Sequence, residues 1–144
     1  MKNHHIVCGA GRVGKNVGIK LIENGEKVVF VEKESDVINA LRRKGYLVYE
    51  TGPVDEEVLE SVGIKTAKAL TAALGDDGKN LLLVLTARHI NPNLKIAVRI
   101  KDKSLISKFK HAGADLIIIP ETVGGIKLAE ALLGKVDHAH VIQV

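Results

Sequence analysis

The sequence predicts a doubly wound α/β fold, in which six parallel strands form one sheet with helices on both faces. Two observations predict it. Six short runs rich in β-branched residues alternate with six segments whose apolar residues recur at helical spacing. Several of these runs are apolar at successive positions, as parallel strands covered on both faces are. With short connections between the elements, this alternation indicates a doubly wound sheet.

The strand predictions follow the apolar runs in chain order. HIVC (5–8), KVVFV (27–31) and YLVY (46–49) supply the first three strands. The other three predicted strands are AKALTA (67–72), KIAVRI (95–100) and DLIIIP (115–120).

The first three helix predictions rest on apolar faces and on recognisable ends. Segment 12–24 places Val13, Val17 and Leu21 on one face and ends at Gly25, and segment 35–44 ends in the same way at Gly45. Segment 55–62 follows a proline and has carboxylates in its first turn, where the helix dipole favours them.

The last three helix predictions use similar signals. Segment 76–90 opens on two aspartates and ends before Asn91 and Pro92, and segment 103–112 ends at Gly113. Segment 122–133 is the sixth helix, and a turn with an additional strand is expected within 134–144.

Length and composition predict a single domain. The chain has 144 residues, of which 46% are hydrophobic and 26% charged, enough for one substantial core but short for two. We therefore assign one domain to 1–144, with its core at 4–133 and a short extension at 134–144.

Charge and aromatic content argue against a nucleic-acid partner. The net charge is +4, but basic residues are interspersed with acidic ones, and the chain has two Phe, two Tyr and no Trp for base stacking. Cys8 is the only cysteine, which excludes an internal disulfide and fits a reducing cytosol. The apolar runs fall short of the roughly 20 residues that span a bilayer, so we expect no membrane insertion by this chain.

The stretch GAGRVG predicts a nucleotide phosphate site. Gly9, Gly11 and Gly14 have the G-x-G-x-x-G spacing directly after the first strand and at the start of the first helix. We expect Gly9 to permit the tight turn, Gly11 to let the backbone approach a pyrophosphate, and Gly14 to bring the helix close to the sheet. Phosphates would then lie at the positive end of that helix, where Arg12 either donates to them or stays solvated.

Glu32 supplies the second expected element of this site. It ends the second strand, where a carboxylate accepts hydrogen bonds from an adenosine ribose and repels a 2′-phosphate. NADP is therefore disfavoured, whereas NAD(H), ATP, ADP and AMP all remain candidates because they share the adenosine and its 5′-phosphate.

Candidate catalytic and metal-binding residues are sparse, so we expect no catalytic site and no metal. His138 and His140 alternate on the expected terminal strand, but no third ligand has suitable spacing. After the sixth strand only one helix and about a dozen residues follow, which leaves little chain for the substrate half that a dehydrogenase needs. A sensor, an NAD-dependent oxidoreductase or its nucleotide-binding half, and a scaffold with a vacant glycine loop remain as alternatives.

Three blocks of the chain resemble RCK domains, also called KTN or TrkA-N domains. The blocks are HIVCGAGRVGKNV near the start, LTARHINPNLKIAVR in the middle and GADLIIIPE near the end. The resemblance extends from His4 to Leu133 and implies a Rossmann-like nucleotide-binding lobe. It further implies a regulatory domain on the cytoplasmic side of a potassium channel or potassium transporter, held at the inner face of the membrane by a membrane partner.

The resemblance also implies site residues. By position, the expected nucleotide contacts are Gly9, Gly11, Arg12, Val13, Gly14, Glu32, Lys33, Gly52 and Arg99. Two departures stand out. Family members often place an acid after the third strand to hold adenine, whereas this chain reads Thr51-Gly52-Pro53-Val54, so adenine recognition there falls to backbone groups or is weak. Calcium-gated members have carboxylates where this chain has Arg99 and Lys101, which argues against calcium.

Members of that family assemble as dimers that stack into rings, so we expect a homodimer or a higher ring. Helix faces that the sheet does not fully cover are the expected contact surfaces. The candidates are Leu82, Leu85, Ile90, Ile106, Phe109, Ile126 and Leu133.

Overall fold

The computed structural model of the chain describes residues 1–135 and 140–144. Its six strands are β1 (His5–Cys8), β2 (Val28–Glu32), β3 (Leu47–Glu50), β4 (Ala69–Ala72), β5 (Lys95–Arg99) and β6 (Leu116–Ile118). Its six α-helices are α1 (Arg12–Glu23), α2 (Ser35–Arg43), α3 (Glu56–Ser61), α4 (Asp77–Ile90), α5 (Ile106–Ala112) and α6 (Pro120–Leu132). Short 3-10 turns at Ile64–Thr66 and Lys103–Leu105 precede β4 and α5.

The strands form one parallel sheet in the order β3-β2-β1-β4-β5-β6. The predicted doubly wound fold is therefore confirmed. The order reverses between β1 and β4, so the crevice at the carboxyl ends of these strands is the switch point where such sheets bind ligands.

Two apolar clusters hold the helices on opposite faces of the sheet. One lies under α3, α4 and α5 and includes the fully buried Leu59, Leu83 and Phe109. The other lies under α1 and α2 and is centred on Phe30 and Ile38. Helices thus cover both faces, as expected, and each cluster draws on alternate residues of the same strands.

Close packing of α1 depends on glycines rather than on the valines that the spacing pointed to. Gly14 and Gly18 are its buried residues, whereas Val13, Val17 and Leu21 are half-buried. A Cβ on Gly18 would lie 2.2 Å from the ring of Phe30. The ring occupies the space that a side chain at position 18 would need, so the helix lies closer to β2 than a larger residue allows.

Element boundaries differ from the sequence predictions mainly near the C-terminal half. Segment 103–112 begins as a 3-10 turn, and its α-helix starts only at Ile106. The sixth strand stops at Ile118 because Pro120 begins α6, two residues earlier than predicted. The additional strand falls partly on residues 136–139, which lie outside the described residues, and residues 140–144 have no regular structure.

The edge strands and α6 leave apolar side chains exposed. Leu47 on β3 and Leu116 and Ile118 on β6 are each about half exposed, so coverage on both faces does not extend to the edges. Every residue of α6 is at least partly exposed. Within residues 1–135 and 140–144, no helix is both long enough and apolar enough to cross a bilayer.

One assembly candidate is wrong. Phe109 is completely buried because α5 turns this ring onto the sheet, and Ile90 and Ile106 pack partly against the same cluster. Leu82, Leu85, Ile126 and Leu133 are exposed, as a contact surface requires.

Candidate functional site

The loop between β1 and α1 is shaped by close backbone approaches at two glycines. Gly9 has a φ of +90°, and a Cβ there would lie 2.5 Å from the carbonyl oxygen of Ala73. A Cβ on Gly14 would lie 1.7 Å from the carbonyl oxygen of Gly9. Only glycine fits at either position, and together they bring the start of α1 against the end of β1.

Gly11 differs from these two because the space beside it is open. A Cβ at this position would meet no atom of the described chain within 4 Å. Gly11 is the N-cap residue of α1 and faces outward. The absence of a side chain here leaves room for a group from solvent to approach the first turn of the helix.

The N-terminus of α1 lacks the acidic caps found on neighbouring helices. Asp55 accepts a hydrogen bond from Val58 N at the start of α3, and Asp76 accepts one from Lys79 N at the start of α4, both at 2.9 Å. Among the described residues, no side chain caps α1 and no acidic residue occupies its first turn. Its first-turn amides and positive dipole end are therefore open to an anion.

Glu32 is fixed by three backbone amides at the edge of the sheet where the strands end, beside the start of α1. Its Oε1 accepts a hydrogen bond from Ala10 N at 2.8 Å. Its Oε2 accepts from Lys33 N at 2.8 Å and from Glu34 N at 3.0 Å. A carboxylate has about four acceptor positions, so Glu32 retains capacity to accept from the hydroxyl groups of a ribose.

The remaining predicted contacts near β1–β3 lie around this carboxylate. Arg12 and Lys33 are exposed, and Val13 is half-buried in the first turn of α1. Gly52 is exposed just after β3, where Thr51 N donates to Glu32 O at 3.0 Å. The structure thus brings the glycine loop, Glu32, Lys33 and Gly52 to one edge.

Arg99 lies at the same edge but on the other side of β4. It ends β5 and is half-buried, and its Nε is buried without a hydrogen-bond partner among the described residues. The main chain of Arg99 is tied to the β4 loop through Asn80, whose Nδ2 donates to Arg99 O at 3.1 Å.

Asn80 was missed by the sequence reasoning. This fully buried side chain also accepts from Leu74 N at 2.9 Å and donates to Leu74 O at 3.0 Å, so it holds the loop after β4 against the end of β5. A signal was available: Asn80 is a polar residue placed directly before the apolar stretch LLLVL, and a buried amide needs such partners.

Other reactive groups lie away from the crevice or are inert there. Burial raises the pKa of the Cys8 thiol to about 12, so it stays protonated at neutral pH. His4 and His5 lie at the opposite edge of the sheet, where they contact Val62 O and Glu26. His138 lies outside the described residues, and among those described no three His, Cys, Asp or Glu side chains are grouped to hold a metal ion.

Comparison with known proteins places these features in a family. A family model described as TrkA-N domain matches residues 5–120. The chain is 39% identical over 133 residues to probable potassium channel protein 2 of Methanocaldococcus jannaschii. That match covers 90% of this chain but only 39% of the channel protein's length.

Solved structures show the same fold. The TrkA-N domain of the inner membrane protein ybaL from Escherichia coli superposes with a TM-score of 0.85 at 24% identity, covering 92% of this chain and 98% of that domain. The Kef C-terminal domain of Shewanella denitrificans in its AMP-bound form has a TM-score of 0.76 at 26% identity, covering 92% and 82%.

Proposed function

This chain belongs to the TrkA-N domain family, and from that membership we propose that it is a nucleotide-sensing regulatory domain of a potassium channel or potassium transport system. Its ligand is an adenine nucleotide, either NAD(H) or one of ATP, ADP and AMP. A membrane partner holds it at the cytoplasmic face of the cell membrane. The potassium channel relative and the AMP-bound Kef domain support this assignment.

One observation carries the proposal. The first turn of α1 presents backbone amides without an acidic cap, and Glu32 is hydrogen-bonded to Ala10 in the adjoining loop. Phosphate oxygens suit the amides, and ribose hydroxyls suit the carboxylate. An adenosine phosphate has both groups at the separation that a glycine loop and the end of the second strand provide in such sheets.

We propose that the nucleotide is bound without being transformed. The carboxylate that contacts the loop is that of Glu32, whose two oxygens already accept from three amides, and the Cys8 thiol at the end of β1 is buried and protonated. Neither is arranged as a general acid or base toward a substrate. An oxidoreductase or the nucleotide-binding half of one is the alternative, and it predicts consumption of NADH with a small carbonyl compound.

Occupancy of the crevice would act through the way subunits meet. A ligand shifts such an equilibrium only by its difference in affinity between the two assembly states, for which coupling of about 1–3 kcal/mol is typical. The exposed Leu82 and Leu85 on α4 and the exposed Ile126 and Leu133 are the candidate contacts. Ile106 lines a groove of about 370 Å³ beside β6 and the start of α6. This groove adds further exposed apolar surface.

Thermal unfolding with a panel of nucleotides tests the proposal. We expect at least one of NAD+, NADH, ATP, ADP and AMP to raise the melting temperature, since a ligand at 100 times its Kd stabilises the fold by about 2.7 kcal/mol. NADPH and calcium should have little effect. A chain that responds to no adenine nucleotide would instead be a scaffold, and steady oxidation of NADH with a carbonyl substrate would make it an enzyme.

A further inference from the structure

A row of lysines lies along the edge of the sheet where the strands begin, opposite the nucleotide crevice. Lys27 directly precedes β2, Lys68 directly precedes β4, and Lys95 is the first residue of β5. Their main chains are linked to neighbouring strands, with His5 N donating to Lys27 O at 2.8 Å and Lys95 N to Lys68 O at 3.4 Å. We call this row the basic edge, and it consists of the exposed Lys2, Lys27, Lys44, Lys68 and Lys95.

A helix dipole accounts for one member of the basic edge, Lys44, which is the C-cap residue of α2, but not for the other four. Basic residues in the last turns of α1, α2, α4 and α5 complement the negative ends of those helices, as is common in this fold. Lys2, Lys27, Lys68 and Lys95 belong to no helix and lie at the entrances of strands. Their positive charge therefore adds to that of the helix ends instead of cancelling a dipole.

Nearby carboxylates offset only part of this charge. Glu26 Oε1 accepts from Lys68 Nζ at 2.6 Å and from His5 Nε2 at 2.8 Å, and Lys65 pairs with Glu60. Lys27 Nζ donates to the backbone carbonyl of Lys2, a neutral partner. Within residues 1–135 and 140–144, Lys2, Lys27 and Lys95 form no ion pair with a carboxylate, so their charge at the surface is not offset there.

Acidic residues concentrate at the other edge. Asp36, Glu56, Glu57 and Asp77 occupy the first turns of α2, α3 and α4. The net charge of +4 is therefore distributed unevenly, with positive charge where the strands begin and negative charge where they end. Such a distribution orients a domain in the field of a charged surface.

We propose that the basic edge lies against an anionic lipid bilayer. Lysine ammonium groups are compact charges on flexible stems, suited to a plane of phosphate groups that has no fixed geometry. In this orientation the nucleotide crevice faces away from the bilayer, about 15 Å further into the cytoplasm, since strands rise about 3.3 Å per residue. The inference rests on the proposed function, because that function places a membrane partner nearby. It does not depend on nucleotide binding.

Vesicle sedimentation without nucleotide tests the proposal. At low salt, the unmodified chain should sediment with phosphatidylcholine vesicles that contain about 30% phosphatidylglycerol, and not with phosphatidylcholine alone. The triple variant Lys2→Gln/Lys44→Gln/Lys95→Gln should bind about 100-fold more weakly, since each of the three basic residues near an anionic surface contributes about fivefold. The matched control Lys15→Gln/Lys79→Gln/Lys103→Gln removes the same charge at the opposite edge and should bind as the unmodified chain does.

Three results would overturn the proposal. The first is failure of the unmodified chain to bind anionic vesicles. The second is an equal weakening of vesicle binding by both triple variants. The third is binding of duplex DNA through the basic edge without binding of vesicles. The melting temperatures of both variants show that they fold. Nucleotide titration of the basic-edge variant separates the two proposals. If this variant still binds nucleotide but no longer binds vesicles, both proposals are supported. If the unmodified chain binds vesicles but binds none of the nucleotides, only the proposed function is contradicted.

Discussion

Ala10 donates its backbone N–H to Oε1 of Glu32 across 2.8 Å, so the glycine loop and the end of β2 are joined before any ligand arrives. The bond fixes the carboxylate beside the first turn of α1. It therefore sets the distance between the group proposed to accept from ribose and the amides proposed to donate to phosphate.

We expect Glu32→Ala to weaken nucleotide binding by about 10- to 100-fold, because hydrogen bonds to a charged group contribute about 1.5–3 kcal/mol. Isothermal titration with AMP and NAD+ measures this. Glu34→Ala is the matched control, since Glu34 is exposed at the same edge and its side chain makes no cap on α2. Equal affinity of both variants would remove Glu32 from the site.

Gly18→Ala should lower the free energy of unfolding by about 1–3 kcal/mol, the usual effect of overpacking a core. The added Cβ would lie 2.2–2.3 Å from two ring atoms of Phe30. Urea unfolding followed by circular dichroism measures the change. Gly124→Ala, in open space on α6, should cause no loss, and a Gly18→Ala protein as stable as the original would contradict the packing described for α1.

Arg88→Ala should cost about 2–4 kcal/mol of folding stability, since it leaves several acceptors without their donor. The guanidinium donates to the carbonyl oxygens of Gly113, Pro92 and Leu94 and to Asp115 Oδ2, and so joins α4, β5 and β6. Arg88→Lys should recover only part of the loss because an ammonium cannot reproduce the planar fork. The exposed His89→Ala serves as control, and equal melting temperatures for it and Arg88→Ala would argue against this role.

Stability should fall in acid partly through Glu26. Hydrogen bonds from Lys68 and then His5 hold the pKa of Glu26 below its ordinary value of 4.5. A lowered pKa in the folded state adds stability above the unfolded value, and that contribution is lost as the pH falls through the folded value. The stability difference between the unmodified chain and Glu26→Gln should therefore shrink below pH 4.5, as urea titrations at successive pH values would show. A difference that stays constant into strong acid would contradict this role of Glu26.

Assembly should depend on the exposed face of α4. Leu82 is 65% exposed and Leu85 is 48% exposed, and they lie three residues apart on the same helix. Contiguous exposed apolar side chains of this kind mark protein interaction surfaces. Leu82→Ser/Leu85→Ser should reduce the mass measured by light scattering at concentrations where the unmodified chain forms dimers. Leu47→Ser, at a comparably exposed position on β3, should leave the mass unchanged. A monomeric unmodified chain would exclude this interface.

The alternation of strands and helices could be predicted from the sequence, because β-branched runs such as KVVFV and helix ends such as Gly25 and Gly45 are local signals. The position of Glu32 at the end of β2 followed from the same signals. Burial of Phe109 did not follow, because the helical spacing of α5 does not reveal which of its faces meets the sheet. The contact of Gly18 with Phe30 and the bonds of Asn80 to Leu74 and Arg99 join residues from different elements, which local patterns do not record.

The open first turn of α1 has a consequence for how ligand preference diverges among descendants of this sequence. Its donors are main-chain groups at residues 12–14, which point mutations of side chains leave in place. The proposed recognition of phosphate is therefore robust to genetic drift, whereas the proposed discrimination between one cofactor and another is concentrated in a few replaceable side chains such as Glu32. Lineages would then exchange one nucleotide signal for another through very few substitutions, while the loop proposed to bind the phosphate persists.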